Sequence, residues 1–319
     1  MPLISAITAA PRWLAVTGVA TLLLGAALIA NPAGAQDFGD TPYVQTPQNV
    51  VDRMLEVAKV GAGDYVIDLG SGDGRMVITA AKQRGARGFG VDLDRRLVQM
   101  ANRLAARAGV ADRAKFYERD LYQTDLAAAS VVTIYLLPEV NLMVRPKLLA
   151  TLKPGTRVVS HDYDMGEWPP DLRFEMDAPG KPVGRDQRSK VFYWVVPGNA
   201  AGTWRWQLTR DGVSEEHVLS VTQNFQMLQG SLMAGKQRFA LRDAKLTGEE
   251  IAFEAVDAAG TAGYRFTGRI TGQAVSGTVR LPGGIELPWN GTRTEVGTPV
   301  HALLKKPELQ ELMLQQQGK

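Results

Sequence analysis

Cysteine is absent from this 319-residue sequence, and histidine occurs only three times. Without thiolates the chain can form neither disulfides nor a cysteine-ligated zinc site. The histidines lie far apart, at positions 161, 217 and 301, which disfavours a zinc site built from imidazoles. We therefore expect no bound metal ion.

A large excess of charge of either sign is also missing. Lys and Arg number 36 against 33 Asp and Glu, so the net charge is only +3. Proteins that bind nucleic acid usually carry a concentrated basic stripe, and we expect no nucleic-acid partner. The chain has 45% hydrophobic residues and no low-complexity tract, as is typical of a globular protein, and its length suits two domains.

The first 35 residues read as a secretory signal peptide. Positions 14–30 contain no charged residue, Asn31-Pro32 breaks the run, and Ala33-Gly34-Ala35 has the small-x-small pattern of a cleavage site. The alternative is an uncleaved membrane anchor, since the apolar run approaches the ~20 residues that a span needs.

The charges that flank this segment give both alternatives the same orientation. Arg12 precedes the apolar run, whereas Asp37 and Asp40 follow it. The positive-inside tendency then places the amino end inside and the rest of the chain across the membrane. We expect an exported protein, periplasmic or secreted, that meets the membrane only through this segment.

Apolar runs alternate with helical patterns between residues 43 and 196, and this alternation predicts an α/β domain. Thr46 is expected to cap a first helix, with Pro47 at its first position. Strands alternating with helices predict a doubly wound, mostly parallel sheet. Strands are predicted at 65–69, 88–92, 114–118, 131–136, 157–160 and, antiparallel at the sheet edge, 190–196; helices at 75–83 and 140–152, and one with its apolar face over 97–108.

The pattern changes to a period of two after Pro197-Gly198. Trp204, Trp206 and Leu208 alternate with polar residues, as in a half-buried strand, and the tryptophans are expected in the core. Further short strands separated by turns predict a small antiparallel barrel or sandwich over 201–295. One of these strands is placed at 225–228. Residues 296–319 are predicted to form a tail with a short amphipathic helix at 306–316.

The most informative stretch follows the first predicted strand. Residues 65–74 read Tyr-Val-Ile-Asp-Leu-Gly-Ser-Gly-Asp-Gly. Glycine accepts positive φ and lets a ligand approach bare backbone, and open α/β sheets bind small molecules at the carboxyl ends of their strands. The spacing differs from the Gly-x-Gly-x-x-Gly of dinucleotide loops, so a dehydrogenase is disfavoured.

Asp68-x-Gly-x-Gly-x-Gly resembles motif I of the class I S-adenosylmethionine-dependent methyltransferases. The resemblance implies their Rossmann-like seven-strand sheet and S-adenosyl-L-methionine as cofactor. It further implies that the loop around Ser71 lines the cofactor site through Gly70, Gly72 and Gly74, and that Asp68 orients the loop or contacts the cofactor's amino group through water.

Two further acids are candidates for the adenosine part of the cofactor. Asp92 ends the second strand, about 20 residues after the glycine loop, where nucleotide-binding folds place an acid that binds the ribose hydroxyls. Its neighbour Asp94 is expected to cap the next helix instead. By the same resemblance, Asp120 would accept a hydrogen bond from the adenine and Leu121 would pack on its ring, with Asp125 as an alternative acid.

The segment after strand four bears on the methyl acceptor. It reads Ile-Tyr-Leu-Leu-Pro-Glu over 134–139, without the acid or asparagine, two prolines and aromatic residue of enzymes that methylate base amines. Together with the Tyr43-Val-Gln-Thr46-Pro entry and the Ser160-His161-Asp162 exit, it resembles a branch of protein-lysine methyltransferases with bacterial relatives, over roughly residues 43–168.

That resemblance implies a protein lysine as acceptor. Tyr43 and Thr46 are placed where they could close over the cofactor. Glu139 and His161 are candidates for guiding the lysine proton, although His161 is equally well explained as a core histidine. The rival hypothesis is an exported, non-catalytic scaffold that keeps the methyltransferase fold and binds a partner through its β domain. The oligomeric state is left open.

Overall fold

A computed structural model describes residues 43–303 of the chain. No helix among these residues is long and apolar enough to cross a membrane. The predicted leader at 1–35 and the predicted helix at 306–316 lie outside the described residues. A short helix, α5 (Val300–Leu303), closes the described part of the tail.

A seven-stranded sheet forms the first part of the structure, as expected. Its order is β3-β2-β1-β4-β5-β7-β6, and β1 to β5 run parallel while β7 and β6 are antiparallel. The strands are β1 (Tyr65–Leu69), β2 (Arg87–Asp92), β3 (Ala114–Glu118), β4 (Val131–Ile134), β5 (Arg157–His161), β6 (Leu172–Asp177) and β7 (Arg188–Val195).

Helices cover both faces of this sheet because alternate strand residues point in opposite directions. Val66 and Val131 pack with the cluster that holds the first two helices, whereas Ile67 and Val132 pack with the fourth. The helices are α1 (Gln48–Val57), α2 (Arg75–Arg84), α3 (Arg95–Arg107) and α4 (Pro138–Thr151). The predicted cap at α3 is confirmed, since the Asp94 carboxylate accepts a hydrogen bond from the Arg96 amide at 2.7 Å.

The expected cap at α1 is wrong. Pro47 occupies the N-cap position, and no side chain caps the helix. The Thr46 hydroxyl instead lies 3.1 Å from His161 Nδ1, and the Thr46 carbonyl accepts a hydrogen bond from Arg75. Contacts with distant residues therefore replace the local cap.

The strand predictions need two corrections, at the end of the sheet order and at the end of β4. The late strand β7 is antiparallel but not at the edge, because β6 lies outside it. The exposed, mostly polar pattern of β6 hides it from a search for apolar runs. The strand predicted at 131–136 ends at Ile134, and Tyr135 and Leu136 turn into the site described below.

Eight antiparallel strands close into a barrel, which decides between the barrel and sandwich alternatives. The closed order is β10-β11-β12-β13-β14-β15-β8-β9. Large apolar side chains fill the interior, and Trp204 and Trp206 lie in this core as predicted. The strands are β8 (Gly202–Arg210), β9 (Val213–Asn224), β10 (Met227–Ala234), β11 (Gln237–Thr247), β12 (Glu250–Val256), β13 (Ala262–Thr271), β14 (Ala274–Arg280) and β15 (Glu286–Val296).

The β9–β10 turn joins the barrel to the α/β part. The prediction of a strand at 225–228 is wrong, because Phe225 has φ +52° and forms the turn with Gln226. The Gln226 side chain accepts a hydrogen bond from Trp168 Nε1 at 3.1 Å and donates one to the Pro169 carbonyl at 2.6 Å. The Phe225 ring stacks on Trp168. The two parts thus share a buried, hydrogen-bonded contact.

Candidate functional site

The glycine loop after β1 borders a cavity of about 730 Å³ at the carboxyl edge of the sheet. Small-molecule sites commonly measure about 300–1,000 Å³. The lining residues come from the loops after β1, β2, β3 and β4 and from the chain before α1, and are Tyr43, Val44, Gln45, Thr46, Asp68, Gly70, Ser71, Gly72, Asp73, Arg75, Met76, Val91, Asp92, Leu93, Asp94, Arg96, Leu97, Arg119, Leu121, Ile134, Tyr135 and Leu136.

Two of the loop glycines are required by the shape of this cavity. Gly70 and Gly72 have φ of +76° and +52°, which side chains rarely adopt. A Cβ atom on Gly70 would lie 2.5 Å from the Leu136 side chain, and one on Gly72 would lie 2.6 Å from the Tyr43 ring. Bare backbone therefore faces the cavity at both positions.

The third glycine has a different role from the one predicted. Gly74 does not line the cavity but is the N-cap of α2, with φ +80°. A Cβ atom there would lie 2.5 Å from the Phe116 ring and 2.9 Å from Ala101 Cβ. Close packing of α2 against β3 and α3 thus accounts for Gly74.

Asp92 lies at the end of β2 with its carboxylate held by two backbone amides. Oδ2 accepts from the Gly72 amide at 2.8 Å, and Oδ1 accepts from the Asp94 amide at 2.9 Å. A carboxylate offers about four acceptor positions, so each oxygen keeps capacity for another donor. Because Asp92 also lines the cavity, the carboxylate can accept two adjacent hydroxyls of a bound sugar.

Asp68 is a buried acid on the cavity wall. It accepts a hydrogen bond from the Thr133 hydroxyl at 2.7 Å, and burial raises its pKa to about 7. A cation beside it would favour the ionised form. The buried Ser71 hydroxyl, which also lines the cavity, has no hydrogen-bond partner among the described residues. Both groups are free to receive a polar ligand.

The chain before α1 covers the glycine loop and is tied to it. Tyr43 and Thr46 line the cavity as the resemblance implied, and Gln45 donates to the Tyr43 hydroxyl at 2.9 Å. Arg75 pairs with Asp73 at 2.6 Å and donates to the Thr46 carbonyl at 2.6 Å. These contacts fix the entry segment over the loop.

The Asp73–Arg75 pair is part of the site that the sequence reasoning missed. Burial disfavours the charged carboxylate, but the hydrogen bonds from Arg75 hold the pKa of Asp73 below its usual value. The pair joins the motif to the entry segment. The charges of Asp73 and Arg75 in the motif could have indicated this pair. Their contact with Thr46 could not be foreseen, because Thr46 is distant in sequence.

The structure separates the two residues proposed for adenine. Leu121 lines the cavity, whereas Asp120 does not. The Asp120 carboxylate caps the short 3-10 helix Leu121–Gln123, accepting from the Tyr122 amide at 2.7 Å. This cap gives Asp120 a local structural role.

Neither candidate for proton transfer lines the cavity. Glu139 lies exposed in the first turn of α4. His161 is fully buried, with Nδ1 3.1 Å from the Thr46 hydroxyl and Nε2 2.8 Å from the Ser189 hydroxyl. Burial lowers the pKa of His161 to about 4, so it is neutral at pH 7. Its ring centroid lies 3.9 Å from that of Tyr135, which does line the cavity.

The residues of this cavity fit S-adenosylmethionine. The glycine backbone leaves room that side chains would fill, Asp92 can accept two hydroxyls, and Asp68 and the unpartnered Ser71 hydroxyl can receive a charged amino-acid group. Arg96 and Arg119 also line the cavity and add positive charge to its wall. The donor set therefore suits a ligand with a ribose and a charged amino-acid part.

Comparison with known proteins agrees with this fit. The model of the ANTKMT methyltransferase domain matches residues 68–172. A protein-lysine N-methyltransferase of Saccharolobus islandicus (strain REY15A) is 46% identical over 130 residues, which are 40% of this chain and 81% of that protein. The adenine nucleotide translocase lysine N-methyltransferase of Mus musculus is 36% identical over 130 residues, 40% of this chain, and the match spans just over half (56%) of that protein.

A solved structure is similar to part of the chain. An RNA methyltransferase of Salinibacter ruber, in complex with S-adenosyl-L-homocysteine, is 50% identical and covers 48% of this chain and 93% of its own, with a TM-score of 0.43. The Saccharolobus enzyme is 46% identical and is covered over 81% of its length, which establishes the family. The cofactor is S-adenosyl-L-methionine, and the chain belongs to the class I S-adenosylmethionine-dependent methyltransferases.

Proposed function

We propose that this methyltransferase acts on the side-chain amine of lysine in a protein partner. One observation carries the proposal: the protein-lysine N-methyltransferase of Saccharolobus islandicus is similar to this chain over 130 residues, which are 81% of its own length. Two relatives that are protein-lysine methyltransferases match this chain at 46% and 36% identity.

The reaction requires the protein to position the cofactor and the acceptor and to provide a suitable electrostatic environment. The cofactor, when bound, supplies an electrophilic methyl group on a sulfonium. The glycine backbone would hold the amino-acid part of the cofactor and Asp92 its ribose, and this placement would fix the direction of attack. The acceptor nitrogen must arrive uncharged, although a free lysine has a pKa of about 10.4. A site that removes water from the ammonium lowers that pKa.

The acceptor enters beside Tyr135 in this proposal. Asp92 at β2 and Leu121 after β3 mark the adenosine side of the cavity, and the glycine loop after β1 lies between them and β4. The side that remains for the acceptor is the one over β4 and β5. Because both His161 ring nitrogens lie beside hydroxyls, we assign His161 to positioning Tyr135 and Thr46 rather than to proton transfer.

A transfer assay tests the proposal. The full chain is incubated with methyl-tritiated S-adenosylmethionine and, separately, with a bacterial protein extract and with total RNA. We expect label in protein, recovered as methyllysine after acid hydrolysis. Label in RNA alone would contradict a lysine acceptor while leaving a methyltransferase, and the Gly72→Val variant is the blank.

The same assay addresses the scaffold hypothesis, for which the comparisons offer no support. A scaffold would transfer no label to either acceptor. Export remains a proposal of its own, because the predicted leader at 1–35 lies outside the described residues. Edman sequencing of the amino terminus after cell fractionation tests it: a start at Gln36 in an exported fraction is expected, and a start at Met1 or Pro2 in the cytosolic fraction would contradict it.

A further inference from the structure

The structure holds a lysine ammonium beside the acceptor side of the cavity. Lys181, in the loop between β6 and β7, places Nζ 2.7 Å from Asp162 Oδ2. The same oxygen accepts a hydrogen bond from the Tyr135 hydroxyl at 3.2 Å. Since Tyr135 lines the cavity, Lys181 reaches the carboxylate directly behind the cavity wall.

Asp162 is fixed in place with unusual backbone geometry. It follows β5 with φ +63°, a conformation that residues other than glycine rarely adopt. Its amide donates to the Lys190 carbonyl at 2.7 Å, and Oδ1 accepts from the Lys190 amide at 3.0 Å. Oδ2 is thereby aimed at Tyr135 and Lys181.

One tyrosine meets this carboxylate directly, through the Tyr135 hydroxyl. The Tyr163 ring lies nearly parallel to the Tyr135 ring, with centroids 6.4 Å apart. A carboxylate oxygen that accepts from a tyrosine hydroxyl keeps capacity for an alkylammonium, with which it forms a charge-assisted hydrogen bond. The Asp162 carboxylate suits a lysine ammonium, and the ammonium of Lys181 occupies this position.

We propose that Asp162 and Tyr135 form the seat for the acceptor lysine ammonium, and that Lys181 occupies this seat as an internal competitor. The inference rests on the proposed function, because it requires a lysine acceptor. Lys181 lies beyond the residues 68–172 that match the domain model, so the competitor belongs to a segment outside that match. The acceptor ammonium must displace Lys181 and then release its proton to solvent before its nitrogen takes the methyl group.

The Lys181–Asp162 contact is largely enclosed, with side-chain exposures of 9% and 14%. Lys181 Nζ also donates to the Arg188 carbonyl at the start of β7, at 2.6 Å, so an acceptor lysine has to replace Lys181 at both partners. The loop that carries Lys181 is held by its own hydrogen bonds, among them Gly180 amide to Gln187 Oε1 at 2.7 Å and Gln187 Nε2 to the Lys181 carbonyl at 3.1 Å. Loop residues 182–187 are exposed.

Kinetics with poly-L-lysine as the acceptor test the inference. Lys181→Met keeps the length of the side chain and removes its charge; we expect KM for poly-L-lysine to fall about tenfold with kcat unchanged, as when a tethered competitor is removed. Asp162→Asn should raise KM by about tenfold or more through loss of a charge-assisted hydrogen bond. Asn tolerates the left-handed backbone at this position.

Matched controls separate this role from a structural ion pair. Arg185→Ala removes one positive charge from the same loop and should leave KM unchanged, and Lys181→Arg should behave like the wild type. In the Lys181→Met/Asp162→Asn double variant the fall in KM should disappear. If Asp162→Asn fails to bind S-adenosylhomocysteine, Tyr135→Phe replaces it, with a rise in KM expected.

The outcomes distinguish this inference from the proposed function. An unchanged or raised KM in Lys181→Met, with poly-L-lysine methylated, would overturn the competitor and leave the lysine acceptor standing. A wild-type chain and a Lys181→Met variant that both bind S-adenosylhomocysteine yet methylate no lysine would overturn both. Transfer that appears only in Lys181→Met would support the inference most strongly.

Discussion

The α/β sheet and the β-barrel differ in the side chains that they bury. The carboxyl edge of the sheet keeps buried polar groups around an open cavity, including Asp68, Ser71 and Asp73. The barrel interior is filled by large side chains such as Phe266 and Trp289, whose rings lie 5.1 Å apart. Burying a charged or unpaired group costs stability, which is tolerated where a ligand later uses it.

The outer surfaces differ as well. On the barrel, charged side chains pair across neighbouring strands, as Glu254 does with Arg242 and Arg265. At the cavity, charges are paired so as to hold backbone in place, as Arg75 does for the Thr46 carbonyl. We therefore expect ligand chemistry at the cavity of the sheet and a stabilising role for the barrel core. Four predictions test this division of roles.

The largest effect is expected at the glycine loop. Gly72→Val places a side chain at φ +52° and within 2.6 Å of Tyr43, so S-adenosylhomocysteine affinity should fall by about 100-fold or more. Isothermal titration measures it. Gly109→Val is the control, because φ is +72° there and no atom lies within 4 Å of the added Cβ. Wild-type affinity in Gly72→Val would contradict the site.

Truncation of a side chain in the barrel core should lower the stability of the protein and leave its cofactor affinity unchanged. Trp289→Ala removes a buried side chain, and the free energy of unfolding should fall by about 3–5 kcal/mol. Urea unfolding measures that loss, and titration at a temperature where the variant is folded should show unchanged cofactor affinity. The control is Asn290→Ala, at the exposed neighbouring position. It should change neither the free energy of unfolding nor the cofactor affinity. A parallel loss of affinity would show that the barrel core supports the site.

The contact between the two parts should have a smaller effect. Gln226→Met leaves Trp168 Nε1 and the Pro169 carbonyl buried without their partner, which costs about 1–3 kcal/mol. Scanning calorimetry should show a lower melting temperature and a less cooperative transition. Gln229→Met, at an exposed position of β10, serves as the reference and should melt like the wild type.

The smallest expected effect is a dependence of ligand affinity on pH. Burial raises the pKa of Asp68 to about 7, and the amino group of the ligand favours the ionised carboxylate. Affinity for S-adenosylhomocysteine should therefore weaken as pH falls below about 7, by at most about tenfold per pH unit. Titrations from pH 8 to pH 5 check this, and a flat profile would remove Asp68 from the ligand contacts.

Stability gives an independent check on Asp68. The folded state keeps the proton up to about pH 7, whereas the unfolded chain releases it near pH 4. The wild type therefore loses stability as pH rises from 4 to 7. Asp68→Asn, which can still accept from Thr133, should gain more stability over the wild type at pH 8 than at pH 5.

Local sequence rules predicted much of the fold and of the cofactor site. The glycine loop and Asp92 were found because strand ends and short spacings are properties of adjacent residues. Contacts between distant residues were not found: Thr46 meets His161 rather than capping α1, and Gly74 serves packing against Phe116.

The acceptor side illustrates the same limit. Asp162 was noted only as part of a motif, and its partner Lys181 comes from a loop after the unpredicted strand β6. An exposed edge strand has little apolar pattern to detect. Pairings of this kind depend on the assembled sheet, so the sequence alone does not specify them.

Titration of the full chain with S-adenosylhomocysteine is the decisive measurement for the cofactor site. We expect one site of micromolar or tighter affinity in the wild type, lost when Asp92→Ala removes the carboxylate between the Gly72 and Asp94 amides. Absence of binding at millimolar ligand, or equal binding by Asp92→Ala, would contradict the site described above.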